Sequence, residues 1–272
     1  MNALVGERIS IITSKAQTTR HRILGIVNGD DFQIVYSDTP GVLKPNYRLQ
    51  ESMLGFSRSA LSDADVLLYV TDVFDSHDKN ADFVEKVNLN SAPLILIINK
   101  IDLIDQTKLI EFVNKWKLLL PRAEIFPVSA LHKFNIDNLF GRIKELLPES
   151  PPFFDKDQLT DKPERFFVTE IVREKILTNY DKEIPYSTEV VVESYKEEAK
   201  IIRINAVIYV ERDSQKAIII GKGGKSLKKV GMEARRELET FFEKPIFLEL
   251  FVKVEKDWRN KPRALGQFGY EF

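Results

Sequence analysis

Cysteine is absent from the 272 residues, which excludes disulfides and thiolate metal sites outright. Histidine is scarce. His21, His77 and His132 are scattered along the chain, and each is expected to be a surface or loop residue rather than a ligand. No apolar run approaches the roughly 20 residues a membrane-spanning helix needs, and the N-terminus lacks the charged-then-apolar layout of a secretory signal. Excess charge of either sign is missing too: 40 Lys and Arg against 41 Asp and Glu leave a net charge of −1, so there is no global pull toward nucleic acid. What remains, 43% hydrophobic and 30% charged residues, is the composition of a soluble globular protein, long enough for two domains and expected in the cytoplasm.

A phosphate loop is also missing. In "AIIIGKGGKSLKKVG", residues 217–231, Gly224-Lys225-Ser226 forms the tail of the G-x-x-x-x-G-K-[ST] pattern, but the glycine required at 219 is Ile219, inside an apolar run. The same stretch is locally basic. Between Ser214 and Arg236 seven basic residues (Lys216, Lys222, Lys225, Lys228, Lys229, Arg235 and Arg236) face one acid, Glu233, a local charge of +6.

The first half of the chain alternates strands with helices. "DVLLYV" (65–70) and "PLILII" (93–98) are short, continuous and rich in branched residues, as buried parallel strands are. Helical periodicity follows at about 78–88 and 105–119, then a strand "EIFPVS" at 124–129 and a helix near 135–147. This order predicts a doubly wound, mostly parallel α/β domain over residues 1–150. "LLPESPPFFDKDQLTDKP" (146–163) holds four prolines, so 151–163 is expected to be a stiff linker. Residues 164–272 read differently: a helix at about 163–180, strands near 188–195 and 201–211, a helix at 214–220, the glycine loop, a helix at 225–242 and a strand at 246–254. That is a small α+β domain with a three-stranded sheet and a C-terminal tail.

Three stretches of the first half carry chemistry. Asp38-Thr39-Pro40-Gly41 follows the strand-like "FQIVYS", where a carboxylate can reach a magnesium ion through water and a glycine lets its N–H approach a γ-phosphate. Read alone it is a Pro-Gly turn. Asn99-Lys100-Ile101-Asp102 closes the strand "LILII", 61 residues after Asp38. A carboxylate there can accept hydrogen bonds from the N1 and exocyclic amine of guanine, which adenine cannot supply, with the Lys100 stem flat along the base. Ser129-Ala130-Leu131 stands 30 residues after Asn99 at another strand end, and its Ser129 and Ala130 N–H groups are expected to face the guanine O6. Asp72, Asp75, Asp78 and Asp82 lack the spacing and glycine of a calcium loop and are read as a solvated loop.

In the second half, Gly221-Lys222-Gly223-Gly224 fits G-x-x-G between two helices. An isolated G-x-x-G is usually a plain turn, but the flanking charge suits RNA. Glycines let the backbone approach a strand closely, and Lys222, Lys225, Lys228 and Lys229 can neutralise its phosphates. The tail adds Lys256, Arg259, Lys261 and Arg263 interleaved with Trp258 and Phe268, expected to extend that surface by stacking and phosphate contact.

With these elements in order, the sequence resembles the translation-factor-like GTPases and, more narrowly, the bacterial Era family. Lys15-Ala16-Gln17-Thr18-Thr19-Arg20-His21-Arg22 is similar to that family's switch I segment, and the glycine-loop domain resembles a type II KH domain. The likeness runs from Met1 to the end. It implies GTP/GDP and Mg²⁺ as cofactors, held by Asp38, Thr39, Pro40, Gly41 and Val42 and by Asn99, Lys100, Ile101, Asp102, Ser129, Ala130 and Leu131. Thr18 or Thr19 would contact the ion and γ-phosphate, with Thr19 and Asp38 as the metal-side residues. It assigns no certain catalytic residue: Val42 follows Gly41 where Ras-like enzymes place a water-orienting glutamine, and its apolar side chain cannot position water, so slow turnover is expected. It further implies a monomer that binds the 3′ region of 16S rRNA, assists assembly of the 30S subunit and associates loosely with the inner face of the membrane.

In the family a strand and phosphate loop precede a segment like "MNALVGERISIITSKAQTTRHR". A truncated chain or misplaced start codon is therefore expected, with poor GTP binding, little hydrolysis and unpaired backbone in the strands that would flank the missing one. The competing expectation is an RNA-binding KH protein whose G domain serves only as a scaffold.

Overall fold

The structure, a computed structural model, describes residues 1–13, 15, 17–75 and 81–270. The expectations that fall on Ala16, His77 and Asp78 lie outside the described residues. The chain forms two compact units: one holds residues 1–8, 24–44 and 54–160, the other 9–23, 45–53 and 161–272.

In the first unit β1 (Ile23–Asn28) and β2 (Gln33–Asp38) make a two-stranded sheet. Their short connection leaves no room for a crossover, so they run antiparallel. A single turn α1 (Asn2–Val5) and the end of a long α2 (Arg48–Asp63) accompany them. A second sheet is parallel, in the order β3 (Leu67–Asp72), β4 (Leu94–Asn99), β5 (Glu124–Pro127). Strand side chains alternate between faces. Leu94, Leu96 and Ile98 therefore pack with α3 (Ala81–Leu89) and with Trp116 of α4 (Gln106–Leu119), while Ile95 and Ile97 pack with Ile34, Tyr36 and α5 (Ile136–Leu146). Helices cover both faces, the doubly wound arrangement.

The sheet is nevertheless in two pieces. Among the described residues β2 pairs only with β1 and β3 only with β4, and mid-strand Val70 is 61% exposed. Two further features depart from the expectations. β1 and α2 were not foreseen, and residues 151–160, expected as a linker, fasten onto the first unit. Gln33 Oε1 accepts from the Phe153 and Phe154 N–H groups at 2.7 and 3.0 Å, its Nε2 donates to the Phe154 carbonyl at 2.8 Å, and Ile26 N–H donates to the Leu159 carbonyl at 2.8 Å. A proline-rich stretch offers few N–H groups, and this glutamine engages the two at its middle.

The second unit is an α+β fold. α6 (Glu164–Asn179) and the single turn α7 (Ile184–Ser187) precede β6 (Glu189–Glu197) and β7 (Ile202–Val210), an antiparallel pair with an irregularity between Val192 and Ser194. α8 (Asp213–Ile220), the glycine loop and α9 (Lys225–Phe242) then lead to β8 (Ile246–Val254), parallel to β7. Val168 and Val172 of α6, Ile219 of α8 and Val230, Ala234 and Leu238 of α9 close over the sheet as one core. α9 reads polar on one side and apolar at 230, 234 and 238, the i, i+4, i+8 stripe of a helix lying on a sheet. A last short helix, α10 (Pro262–Gln267), follows near the end of the described chain. No helix among the described residues is long and apolar enough to cross a membrane.

Candidate functional site

The carboxyl ends of β3, β4 and β5 lie side by side, where open α/β sheets bind ligands. Strand register sets Asp72 opposite Asn99. Asn99 Oδ1 accepts the Ala130 N–H at 3.0 Å, tying the end of β4 to the loop after β5. Lys100 follows in the left-handed region, φ 62°, a conformation that costs a side-chain-bearing residue roughly 1–2 kcal/mol. That turn swings the chain into the short turn Ile101–Leu103, and Ile101 N–H donates to the Val128 carbonyl at 3.3 Å.

The result brings Asp102 to Ser129. The Ser129 hydroxyl hydrogen-bonds the Asp102 carboxylate and holds its pKa below the ordinary value, so the group stays an acceptor at neutral pH. His132 Nε2 stands 3.9 Å from Asp102 Oδ2. Lys100 Nζ is held by Asp72 Oδ2 at 2.5 Å, and Asp72 also accepts the Phe74 N–H at 2.8 Å. Burial would raise the Asp72 pKa, but the Lys100 hydrogen bond and the backbone donors outweigh it and the pKa is lowered. The sequence reading set Asp72 aside as a solvated loop residue. Its place at the end of β3, level with Asn99, was the signal that could have found it.

Several of the expected site residues make bonds within the protein here. Ser129 and Ala130 were to offer their N–H groups to a base. In the structure Ser129 N–H donates to the Phe134 carbonyl at 3.3 Å and Ala130 N–H to Asn99, bonds that close the loop on itself. Leu131, next along, is largely exposed. Thr18 or Thr19 was to contact a magnesium ion; both lie in the 9–23 segment of the second unit. Thr18 Oγ1 donates to the Lys15 carbonyl at 2.6 Å, and its own carbonyl accepts from Arg173.

Asp38 ends β2, and Thr39, Pro40, Gly41 and Val42 form the loop after it. The buried Pro40 carbonyl accepts from Ser57 Oγ at 2.8 Å, which fixes the turn, while Gly41 faces open space. No group of three metal-ligating side chains gathers among the described residues. One carboxylate at a strand end is nonetheless the donor set that suits magnesium carried in by nucleotide phosphates.

In the second unit all three loop glycines have positive φ: Gly221 70°, Gly223 60° and Gly224 75°. Gly221 combines this with ψ 175°, a region essentially reserved for glycine, and a Cβ there would run into Ser226 Oγ. Gly223 and Gly224 face open space instead. Lys222, Lys225, Lys228 and Lys229 are exposed. The neighbouring acid is spent, since Glu233 accepts from Asn179 at 2.6 Å and lies 3.8 Å from Lys229. α9 begins at Lys225 with Gly224 as its N-cap, so a helix N-terminus and three exposed lysines with no ion pair among the described residues, Lys222, Lys225 and Lys228, adjoin the loop. Phosphate is favoured at such a place.

The tail does not extend this surface as expected. Trp258 is fully buried and its Nε1 donates to the Ser187 carbonyl at 3.0 Å. Phe268 packs against Trp258 and Tyr209 at ring separations of 5.4 and 5.1 Å, Arg259 is paired with Glu211 at 2.5 Å and Lys261 with Glu255 at 2.7 Å. The aromatics are core anchors with satisfied polar atoms, and Lys256 and Arg263 remain exposed.

Comparison with known proteins bears on both units. A family model described as KH domain matches residues 183–259, and one described as 50S ribosome-binding GTPase matches residues 1–100. GTPase Era of Geotalea daltonii is 46% identical over 274 residues, spanning 100% of this chain and 92% of that protein. GTPase Era of Staphylococcus haemolyticus is 41% identical over 272 residues, spanning 99% and 91%. A crystal structure of Era in complex with MgGDPNP and nucleotides 1506-1542 of 16S ribosomal RNA matches with a TM-score of 0.95 at 37% identity, covering 100% of this chain and 93% of that one. The chain belongs to the Era family of GTPases.

Proposed function

We propose that the protein is a guanine-nucleotide switch whose second unit grips single-stranded RNA, with the 3′ region of 16S rRNA as target and assembly of the 30S subunit as its setting. The observation that carries the reading is the glycine loop: three positive-φ glycines, exposed lysines and a helix N-terminus on one edge, in a chain similar to an Era crystallised with MgGDPNP and a 16S rRNA segment. Asn99, Lys100 and Asp102 choose guanine, and the Asp38–Val42 loop would hold the phosphates and their magnesium. Bound there, the ion would supply charge neutralisation at the transferred phosphoryl group. The KH unit occupies residues 164–272 together with the segments at 9–23 and 45–53. Monomeric behaviour and a loose, peripheral hold on the membrane complete the proposal.

The 272 residues contain no G-x-x-x-x-G-K-[ST].

RNA binding is tested by titrating the chain with labelled RNA copying nucleotides 1506–1542 of 16S rRNA at several salt concentrations. Lys222→Ala together with Lys225→Ala should weaken binding and flatten the salt slope by roughly 0.7 per lysine. A slope equal to that of the unaltered chain would remove the loop from the interface.

A further inference from the structure

Residues 9–23 are part of the second unit, and polar contacts hold them there. Arg20 is 1% exposed. It donates to the Thr188 and Pro185 carbonyls at 2.7 and 3.1 Å and to Glu189 Oε2 at 3.0 Å, and Tyr270 Oη adds a donor to Glu189 at 2.6 Å. Arg173, forked onto Glu170 at 2.8 and 2.7 Å, also donates to the Thr18 carbonyl. Lys15 extends this strap further: its Nζ donates to the Tyr180 carbonyl and pairs with Asp181 at 2.8 Å.

Tyr180 connects the strap to the glycine loop. Its backbone takes the Lys15 bond, and its phenol donates at 2.7 Å to the carbonyl of Ile219, two residues before Gly221. That carbonyl belongs to the last turn of α8, where helix carbonyls have no partner further along the helix. The phenol therefore fixes where α8 stops and at what angle the chain enters the loop. Burial keeps the phenol protonated, with its pKa pushed up to about 12.

We propose that Lys15 and Tyr180 are positioning residues for the RNA-binding loop, so that a seated strap and an RNA-filled glycine loop stabilise each other. The inference rests on the RNA reading given above. Coupling of this kind is reciprocal: whatever the strap adds to RNA affinity, RNA adds to the hold on the strap. Neither residue needs to touch RNA, since both act through the Ile219 carbonyl.

The test uses the full chain and a labelled single-stranded RNA 12-mer of mixed sequence. Tyr180→Phe removes only the hydroxyl, and Lys15→Ala removes a half-buried side chain together with its bonds to Tyr180 and Asp181. Each should weaken binding by roughly 3- to 10-fold, the worth of one hydrogen bond, and the double variant should lose little more than either alone. RNA should also slow amide exchange across residues 15–20, a readout that a merely structural tyrosine would not move. Full affinity in either single variant, additive losses in the double variant, or exchange at 15–20 indifferent to bound RNA would each overturn the coupling while leaving RNA binding intact. No RNA binding by the unaltered chain would overturn the RNA reading and the coupling together.

Discussion

At the scale of single residues, the proposed base-recognition site depends on a carboxylate remaining ionised. The Ser129 hydroxyl holds the Asp102 pKa below its ordinary value. Guanine needs the acceptor form, so lowering the pH should leave base preference flat until the medium passes below the usual carboxylate pKa of about 3.9. Asp102→Asn replaces one acceptor with a donor facing the base's own donors. The preference for GDP over ADP, read by competition against a fluorescent GDP, should fall by about 10- to 100-fold, as expected for loss of a charged hydrogen bond. An unchanged preference would count against the site. Asn99 and Asp102 were legible in the sequence because both sit within one short turn at a strand end. Asp72 was not, since its partner Lys100 lies 28 residues away and only the parallel register of β3 and β4 brings them level. Trp258 misled for a related reason: composition shows an aromatic among basic residues, whereas the buried Ser187 carbonyl that claims its indole is 71 positions distant.

Secondary-structure elements were most readable where local chemistry determines them. α8, the glycine loop and α9 follow from an apolar stripe interrupted by residues with no Cβ, and β8 follows from its alternation. β1 was hidden because its run "ILGIVN" contains a glycine and adjoins a stretch resembling a switch. α2 was hidden because its buried residues, Leu49 and Met53, are interspersed with Ser52 and Ser57, which are buried too. The loop carries a graded prediction. Gly221→Ala places a Cβ in a glycine-only region and against Ser226, which should destabilise the chain by about 1–3 kcal/mol from backbone strain alone. Gly223→Ala meets open space in the left-handed region and should cost less, about 1–2 kcal/mol. Urea denaturation of both variants gives the ordering, and a reversed order would contradict the loop geometry.

The molecule as a whole has two compact units but no single cut point in sequence. Proline content marks 146–163 as the boundary because composition senses only local stiffness. It is blind to Arg20 binding Glu189 across 169 positions and to Gln33 fastening 153 and 154. A fragment of residues 161–272 should accordingly be a poor version of the second unit. Without Arg20 it leaves Glu189 buried and short of its nearest cation, a loss worth about 3–5 kcal/mol in buried pairs generally. Its melting temperature should lie below that of the same unit in the full chain and rise when a synthetic peptide of residues 9–23 is added. Identical melting with and without the peptide would rule out the strap as part of that core.

Trp116 and Trp258 are the two tryptophans of the sequence, and each is shut inside a different unit, 2% and 0% exposed. The chain thus carries a built-in fluorophore in each half. Replacing either indole with phenylalanine would turn the remaining emission into a private optical record of one half, and the colour of that light would tell which core had let water in.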